Sequence, residues 1–218
     1  MKKDALPISP QNYARIFLVL HSVLKSIDKS VKPSCLFYNT VGAFLLEHFF
    51  KIKAVPMMGG AFMMLDEYEP AGPLLLVFAD VDGQESNVSG EKGNFHCWVE
   101  TENHVLDFTA PVYQEYLESS GRENIVPRKM FQKKKSLMAN SHHDVCSNGD
   151  YFFQRNSVMT MQYLLDPPQK KQIGDLVNIC AQWFRPYPME MEGSITISDN
   201  FGEITSIEKT NLKVLGVW

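Results

Sequence analysis

The sequence predicts an α+β fold, in which helices pack against an antiparallel sheet. Apolar residues recur at helical spacing over residues 13–50, and the spacing then changes towards alternation over residues 54–110. A helical pattern returns at residue 168, and an alternating pattern follows from residue 194. Because helices and strands occur in separate runs, the pattern favours segregated helices and a meandering sheet over the whole chain, taken as one domain, 1–218.

Two helices are predicted in the first fifty residues. The first starts near Ser9 and carries apolar residues on one face as far as Ile27. Ser34 is a candidate N-cap for the second, which covers residues 35–50. We expect the second helix to be buried on most sides, since its apolar residues form more than one stripe: Leu36, Phe37, Val41, Phe44, Leu45, Leu46, Phe49 and Phe50.

Strands are predicted next, separated by turn residues. The β-prone stretches are residues 54–65, 74–79, 95–101 and 104–110, and Gly72-Pro73 and Asp82-Gly83 punctuate them. Residues 117–156 are polar and rich in lysine and arginine, so we expect this segment to be an excursion over the surface or a lid.

The C-terminal part combines a helix and a hairpin. Pro168 is a good first-turn residue, and the helical pattern runs from it to Phe184. Residues 194–198 and 203–208 alternate apolar and polar side chains around the turn-forming Asp199-Asn200-Phe201-Gly202.

Composition excludes several classes of protein. The 218 residues carry a formal net charge of −4 and a pI near 5.9, so we expect no nucleic-acid partner. No stretch reaches the roughly 18 apolar residues of a membrane span, and Met1-Lys2-Lys3 is not followed by a secretory leader, so we expect a cytoplasmic protein. The four cysteines form no CxxC pair, which argues against a disulfide scaffold.

Cys35 is the candidate nucleophile. Thiol chemistry needs a cysteine that forms a thiolate, a histidine that exchanges a proton with it, and a group that orients the histidine. At the start of the second helix, the sulfur of Cys35 would lie in the first turn, where free N–H groups and the helix dipole favour the thiolate. The alternative is a small buried hydrophobic side chain.

A hairpin supplies the other two groups. If Glu102 and Asn103 are a two-residue turn, Thr101 pairs with His104, and counting outwards places residue 98 opposite residue 107. His96 is then the diagonal neighbour of Asp107 on one face, at roughly 7–8 Å, a gap that the two side chains can close. Trp98 shares this face, where it is a candidate to shield the site from water.

These residues resemble the transglutaminase-like branch of the papain-like cysteine enzymes. The matching motifs are Cys35 at the head of a buried helix, the strand with Gly59-Gly60, His96-Cys97-Trp98-Val99-Glu100 and Asp107-Phe108-Thr109. The resemblance covers residues 30–112. The whole chain is also similar to an uncharacterised bacterial family filed as a domain of unknown function.

The resemblance implies a papain-like core and a Cys35-His96-Asp107 triad without a cofactor. It implies a thiol-dependent acyl hydrolase or acyl transferase that forms an acyl-enzyme with a peptide or another amide-containing substrate. Papain-type peptidases also carry a glutamine shortly before the nucleophile, and none lies between Ala14 and Cys35. A non-catalytic binding or scaffold protein with the same fold is the alternative. The oligomeric state stays open.

Other candidates have simpler explanations. His142, His143 and Cys146 are close in sequence, but no fourth zinc ligand is suggested by spacing, so no metal site is predicted. Cys97 alternates to the face opposite His96, where packing in the core is the favoured interpretation.

Overall fold

A computed structural model describes residues 6–27, 34–65, 73–81, 88–89, 94–119, 121, 126–165, 167–198 and 201–218. The helices of this part of the chain are α1 (Pro10–Ile27), α2 (Cys35–Phe50), α3 (Tyr113–Ser119), α4 (Ser157–Leu165) and α5 (Pro167–Trp183). The strands are β1 (Val55–Leu65), β2 (Leu74–Phe78), β3 (Asp80–Val81), β4 (Val88–Ser89), β5 (His96–Glu100), β6 (His104–Asp107), β7 (Phe131–Lys134), β8 (Tyr151–Arg155), β9 (Ser194–Ser198) and β10 (Ile204–Glu208).

The architecture is mixed α and β, built on a curled antiparallel sheet. The strand order is β2-β1-β5-β6-β7, and β8 pairs with β1 on its other edge. Tyr151 on β8 donates a hydrogen bond to the carbonyl of Lys134 on β7 (2.7 Å), so the two ends of the sheet approach each other. The predicted hairpin strands of the C-terminal part form as the separate pair β9-β10; Asp199 and Asn200 of its predicted turn lie outside the described residues.

Two cores lie on the two faces of the curled sheet. The outer core packs α1, α2 and α5 against the sheet through Val99 and Leu106. The inner core lies inside the curl and contains Trp98, Phe131 and Phe153. Alternation along β5 therefore sends neighbouring side chains into different cores.

The helix α2 is confirmed with the bounds that the sequence predicts. Ser34 caps it by accepting a hydrogen bond from the backbone N–H of Phe37, and Lys51 ends it in the left-handed conformation. α2 packs between α1 and β5. Gly42 allows α2 to approach the ring of Phe108 closely, because a Cβ at this position would lie 2.2 Å from that ring. This contact packs the middle of α2 against the residue that follows β6.

The prediction that residues 117–156 run over the surface is wrong for its two strands. Residues 131–134 form β7 beside β6, and residues 151–155 form β8 beside β1. β7 buries Phe131, and β8 buries Tyr151 and Phe153, within a segment whose other residues are largely polar. The pairing of these strands with distant partners leaves little local signal in so polar a sequence.

No described helix is both long enough and apolar enough to cross a membrane.

Candidate active site

The β5-β6 hairpin brings His96 and Asp107 together. The register pairs Glu100 with Val105, and the N–H of Thr101 donates to the carbonyl of His104 (2.9 Å), which confirms the predicted two-residue turn. The side chains of His96 and Asp107 consequently share a face, and His96 Nε2 lies 2.6 Å from Asp107 Oδ2. Both side chains are buried, so this contact is a charge-assisted hydrogen bond inside the protein.

Cys35 lies at the head of α2, next to the same histidine. Its side chain is half-buried and lines the same cavity as His96, and its interaction with the imidazole contributes to the raised pKa of that histidine. Since Nε2 of His96 is bonded to Asp107, Nδ1 is the ring nitrogen left for the sulfur. The structure therefore brings the three predicted residues to one site, with a hydrogen bond between the imidazole and the carboxylate and the thiol on the same cavity wall as the imidazole.

Asp107 is held by donors on both carboxylate oxygens. Oδ2 accepts hydrogen bonds from His96 and from the hydroxyl of Tyr113 (2.5 Å), and Oδ1 accepts from Asn39 Nδ2 (2.9 Å) and the N–H of Thr109 (2.8 Å). Burial raises the pKa of this carboxyl, but the charge of His96 and these donors outweigh burial, so its pKa lies below its ordinary value. Asp107 is thus a fixed, ionised partner for the imidazole.

Asn39 connects the helix to the hairpin. It lies four residues after Cys35 on α2, and its Nδ2 is 3.2 Å from the Cys35 carbonyl and 2.9 Å from Asp107 Oδ1. Its Oδ1 accepts the N–H of Phe108 (2.9 Å). The side chain is fully buried, so its amide helps to fix the position of Cys35 relative to the carboxylate of Asp107.

His96 is enclosed by aromatic side chains as well as by its polar partners. The ring of Phe78 stacks on it with a centroid distance of 4.5 Å and an interplanar angle of 18°. Burial lowers the pKa of His96, whereas the charge and hydrogen bond of Asp107 and the hydrogen bond to Cys35 raise it, and the net result is a pKa of about 10. The imidazole therefore favours the protonated form at neutral pH.

This raised pKa predicts a pH dependence of stability. A histidine whose pKa rises on folding contributes its full stabilisation below the unfolded pKa of 6.5 and loses it as the pH approaches the folded value of about 10. We expect the difference in unfolding free energy between the protein and its His96→Gln variant to shrink as the pH rises from 6.5 to 10. Urea unfolding of both proteins at several pH values measures this difference in free energy. A difference that stays constant or grows with pH would contradict a raised pKa of His96.

Trp98, the candidate for shielding the site from water, lies in the inner core. It shares the face of His96, as expected, but it is fully buried in the inner core, packs on Phe153 and donates from Nε1 to Glu100 (3.1 Å). Trp98 is not among the described residues that line the cavity beside Cys35. Phe78 from β2 is the ring that covers His96, because Phe78 and His96 pair with Ala61 and Gly59, which are two residues apart on β1.

The other cysteines lie in different surroundings. Cys97 and Cys180 are buried, and burial raises the pKa of each thiol. The position of Cys97 in the core is the predicted one, whereas Cys146 is exposed.

The histidines near Cys146 do not form a metal-binding group. His142 stacks on Phe62 with a centroid distance of 5.0 Å. Within the described ranges no group of three or more His, Cys, Asp or Glu side chains is arranged to hold a metal ion.

Sequence reasoning missed three contributors to the site. Asn39 could have been found from its position one helical turn after Cys35, on the same side of α2. Tyr113 and Phe78 gave no comparable signal, because each reaches the site from an element outside the hairpin and the head of α2. Their contacts with Asp107 and His96 arise only from the tertiary fold.

Comparison with known proteins gives a match along nearly the whole chain. A family model described as a protein of unknown function (DUF2026) matches residues 9–218. A solved structure, described as the crystal structure of a genomics target, is 33% identical with a TM-score of 0.84, and the match covers 100% of both chains. No curated protein matches the sequence.

Proposed function

The chain belongs to the DUF2026 family of proteins of unknown function, and we propose that it is a thiol-dependent acyl hydrolase or acyl transferase. The observation that carries this proposal is the buried hydrogen bond between His96 and Asp107 beside a cavity whose wall contains both Cys35 and His96. A nucleophile, a proton carrier and an orienting group in hydrogen-bond contact are what acyl transfer through a covalent intermediate requires. The substrate proposed is a peptide or a small molecule with an amide or a related acyl bond.

The proposed reaction has two halves. In the first, Cys35 attacks as the thiolate while His96 carries the proton: the sulfur bonds to the carbonyl carbon, and the bond to the leaving amine breaks as that amine takes the proton from His96. In the second, His96 removes a proton from water or an acceptor amine, which attacks the acyl carbon. The C–S bond then breaks, which leaves the thiolate of Cys35 beside the protonated His96.

The surrounding residues have supporting roles in this scheme. Asp107 orients His96 and stabilises the imidazolium, because all four of its donors hold the carboxylate in place. The backbone N–H of Cys35, at the first residue of α2, is the donor that we assign to the oxyanion. Asn39 and Tyr113 are positioning residues, since they act through Asp107.

The fold supports a papain-like or transglutaminase-like assignment as part of the same proposal. A helix that begins with the cysteine packs on an antiparallel sheet whose neighbouring strands carry the histidine and the aspartate. This arrangement agrees with the architecture that the sequence motifs imply.

Thiol labelling tests the proposed function. Exposure alone predicts that the exposed Cys146 reacts fastest, ahead of the half-buried Cys35. Activation by His96 predicts the reverse: iodoacetamide at pH 6 should modify Cys35 at least ~10-fold faster than Cys146, as measured by peptide mass spectrometry. His96→Ala should slow the labelling of Cys35 and leave that of Cys146 unchanged. Faster labelling of Cys146 in the unmodified sequence would favour the alternative, a binding protein without turnover.

A further inference from the structure

The cavity beside Cys35 carries information on the substrate. It has a volume of about 170 Å³, and Cys35 and His96 form part of its wall. Four aromatic residues form much of the remainder: Phe78, Phe95, Tyr113 and Tyr116. Its other described lining residues, Asn94 and Thr109, are uncharged. The charged group of the wall, the imidazolium of His96, is already paired with Asp107, so no unpaired charge among the described wall residues would attract a charged ligand.

The aromatic rings present apolar surface to the cavity. Phe78 lies between two partners, since its centroid is 4.5 Å from that of His96 and 4.6 Å from that of Tyr116. The hydroxyl of Tyr113 is engaged by Asp107 and by the sulfur of Met63 (3.1 Å), so this residue offers mainly its ring. Aromatic walls fixed in this way bind apolar and aromatic groups in edge-to-face or offset contacts.

The volume limits the size of the group that fits. An apolar cavity of ~150 Å³ holds one benzene ring, so a cavity of about 170 Å³ has room for one six-membered ring or a short aliphatic chain. A bicyclic group or a long acyl chain exceeds this volume.

We propose that the substrate carries one compact, uncharged, apolar group next to the bond that Cys35 attacks, and that this aromatic cavity binds that group. The proposal rests on the proposed function, since it takes Cys35 as the attacking atom. It goes further by naming the chemical class of the group and the residues that select it. Tyr116, on α3, determines the size of the cavity at its exposed side, where its side chain is 37% exposed.

A matched series of chloroacetamides tests the proposal without the need for turnover. The N-methyl, N-benzyl, N-(4-carboxybenzyl) and N-(naphthylmethyl) reagents alkylate thiols by the same reaction. We expect N-benzyl to react with Cys35 at least ~10-fold faster than N-methyl or N-(4-carboxybenzyl), and N-(naphthylmethyl) to lose most of this advantage. Rates at the exposed Cys146 in the same sample correct for differences in intrinsic reactivity.

Substitutions in the cavity wall test whether the wall causes the preference for the N-benzyl reagent. Tyr116→Trp reduces the room in the cavity and should lower the ratio of N-benzyl to N-methyl rates at Cys35. Phe95→Leu removes an aromatic ring from the wall and should also change this ratio. Phe201→Ala, which alters a side chain that is 93% exposed, should leave the ratio unchanged.

The outcomes separate the two proposals. Equal rates for the N-methyl, N-benzyl and N-(4-carboxybenzyl) reagents at Cys35, or a ratio that neither wall variant changes, would overturn the cavity proposal. Faster labelling of Cys146 than of Cys35 by plain iodoacetamide would instead count against the proposed function, whatever the ratio at Cys35.

Discussion

Replacing Asp107 by asparagine is expected to lower kcat/KM for hydrolysis of an activated ester by roughly 10³- to 10⁴-fold. Four donors converge on the carboxylate, and asparagine replaces one of its acceptor oxygens by an N–H₂ group. If the amide nitrogen faces His96, the imidazole must turn its protonated nitrogen towards the sulfur and cannot accept the thiol proton. If the amide nitrogen instead faces Asn39 and Thr109, its N–H₂ group meets their N–H groups without an acceptor, and the hairpin is destabilised.

The assay needs a control for folding. Asp144→Asn changes an exposed carboxylate in the loop before β8 and should retain the rate. Near-ultraviolet circular dichroism of both variants shows whether the aromatic core is intact. A folded Asp107→Asn variant that hydrolyses the ester at the unmodified rate would remove Asp107 from the proposed triad.

Gly59→Ala should cause the largest loss of stability. Gly59 lies on β1 between two partners, His96 on β5 and Arg155 on β8. A Cβ at this position would lie 2.0 Å from the backbone oxygen of Gln154, and its φ of +156° is rarely adopted by other residues. Because the obstructing atom is backbone, the substitution must displace β8 from β1, and we expect the free energy of unfolding to fall by about 3 kcal/mol or more.

Urea unfolding measures this effect against a matched glycine. Gly174 lies in α5, and a Cβ added there would meet no other atom within 4 Å. Alanine has the higher helix propensity, so Gly174→Ala should leave stability unchanged or raise it by up to ~1 kcal/mol. A Gly59→Ala variant within ~0.5 kcal/mol of the unmodified protein would show that β8 does not approach β1 as closely as described.

The parts of the fold that local patterns determine could be predicted from the sequence. The bounds of α2 follow from Ser34 and the apolar run behind it, and the partnership of His96 with Asp107 follows from the two-residue turn and the alternation of strand side chains. Both inferences use residues close together in the chain. For that reason they did not depend on the arrangement of the other elements.

Distant pairings could not be predicted in the same way. β7 and β8 are positioned by their pairing with β6 and β1. They lie within residues 117–156, a largely polar stretch whose composition resembles that of a surface segment. α4 was also missed, although Asn156 caps it by accepting a hydrogen bond from the N–H of Met159 (2.9 Å). The aromatic cavity depends on tertiary packing, since Phe78 and Tyr116 come from β2 and α3, which are distant from Cys35 in the sequence.

Trapping of an acyl-enzyme tests the central claim most directly. The protein would be incubated with p-nitrophenyl acetate, quenched in acid and mapped by peptide mass spectrometry. We expect a single acetyl group on the peptide that contains Cys35, no such adduct in a Cys35→Ser variant under the same conditions, and much slower formation in Asp107→Asn. Acetylation of Cys146 and surface lysines with Cys35 left unmodified would contradict the assignment of Cys35 as the nucleophile.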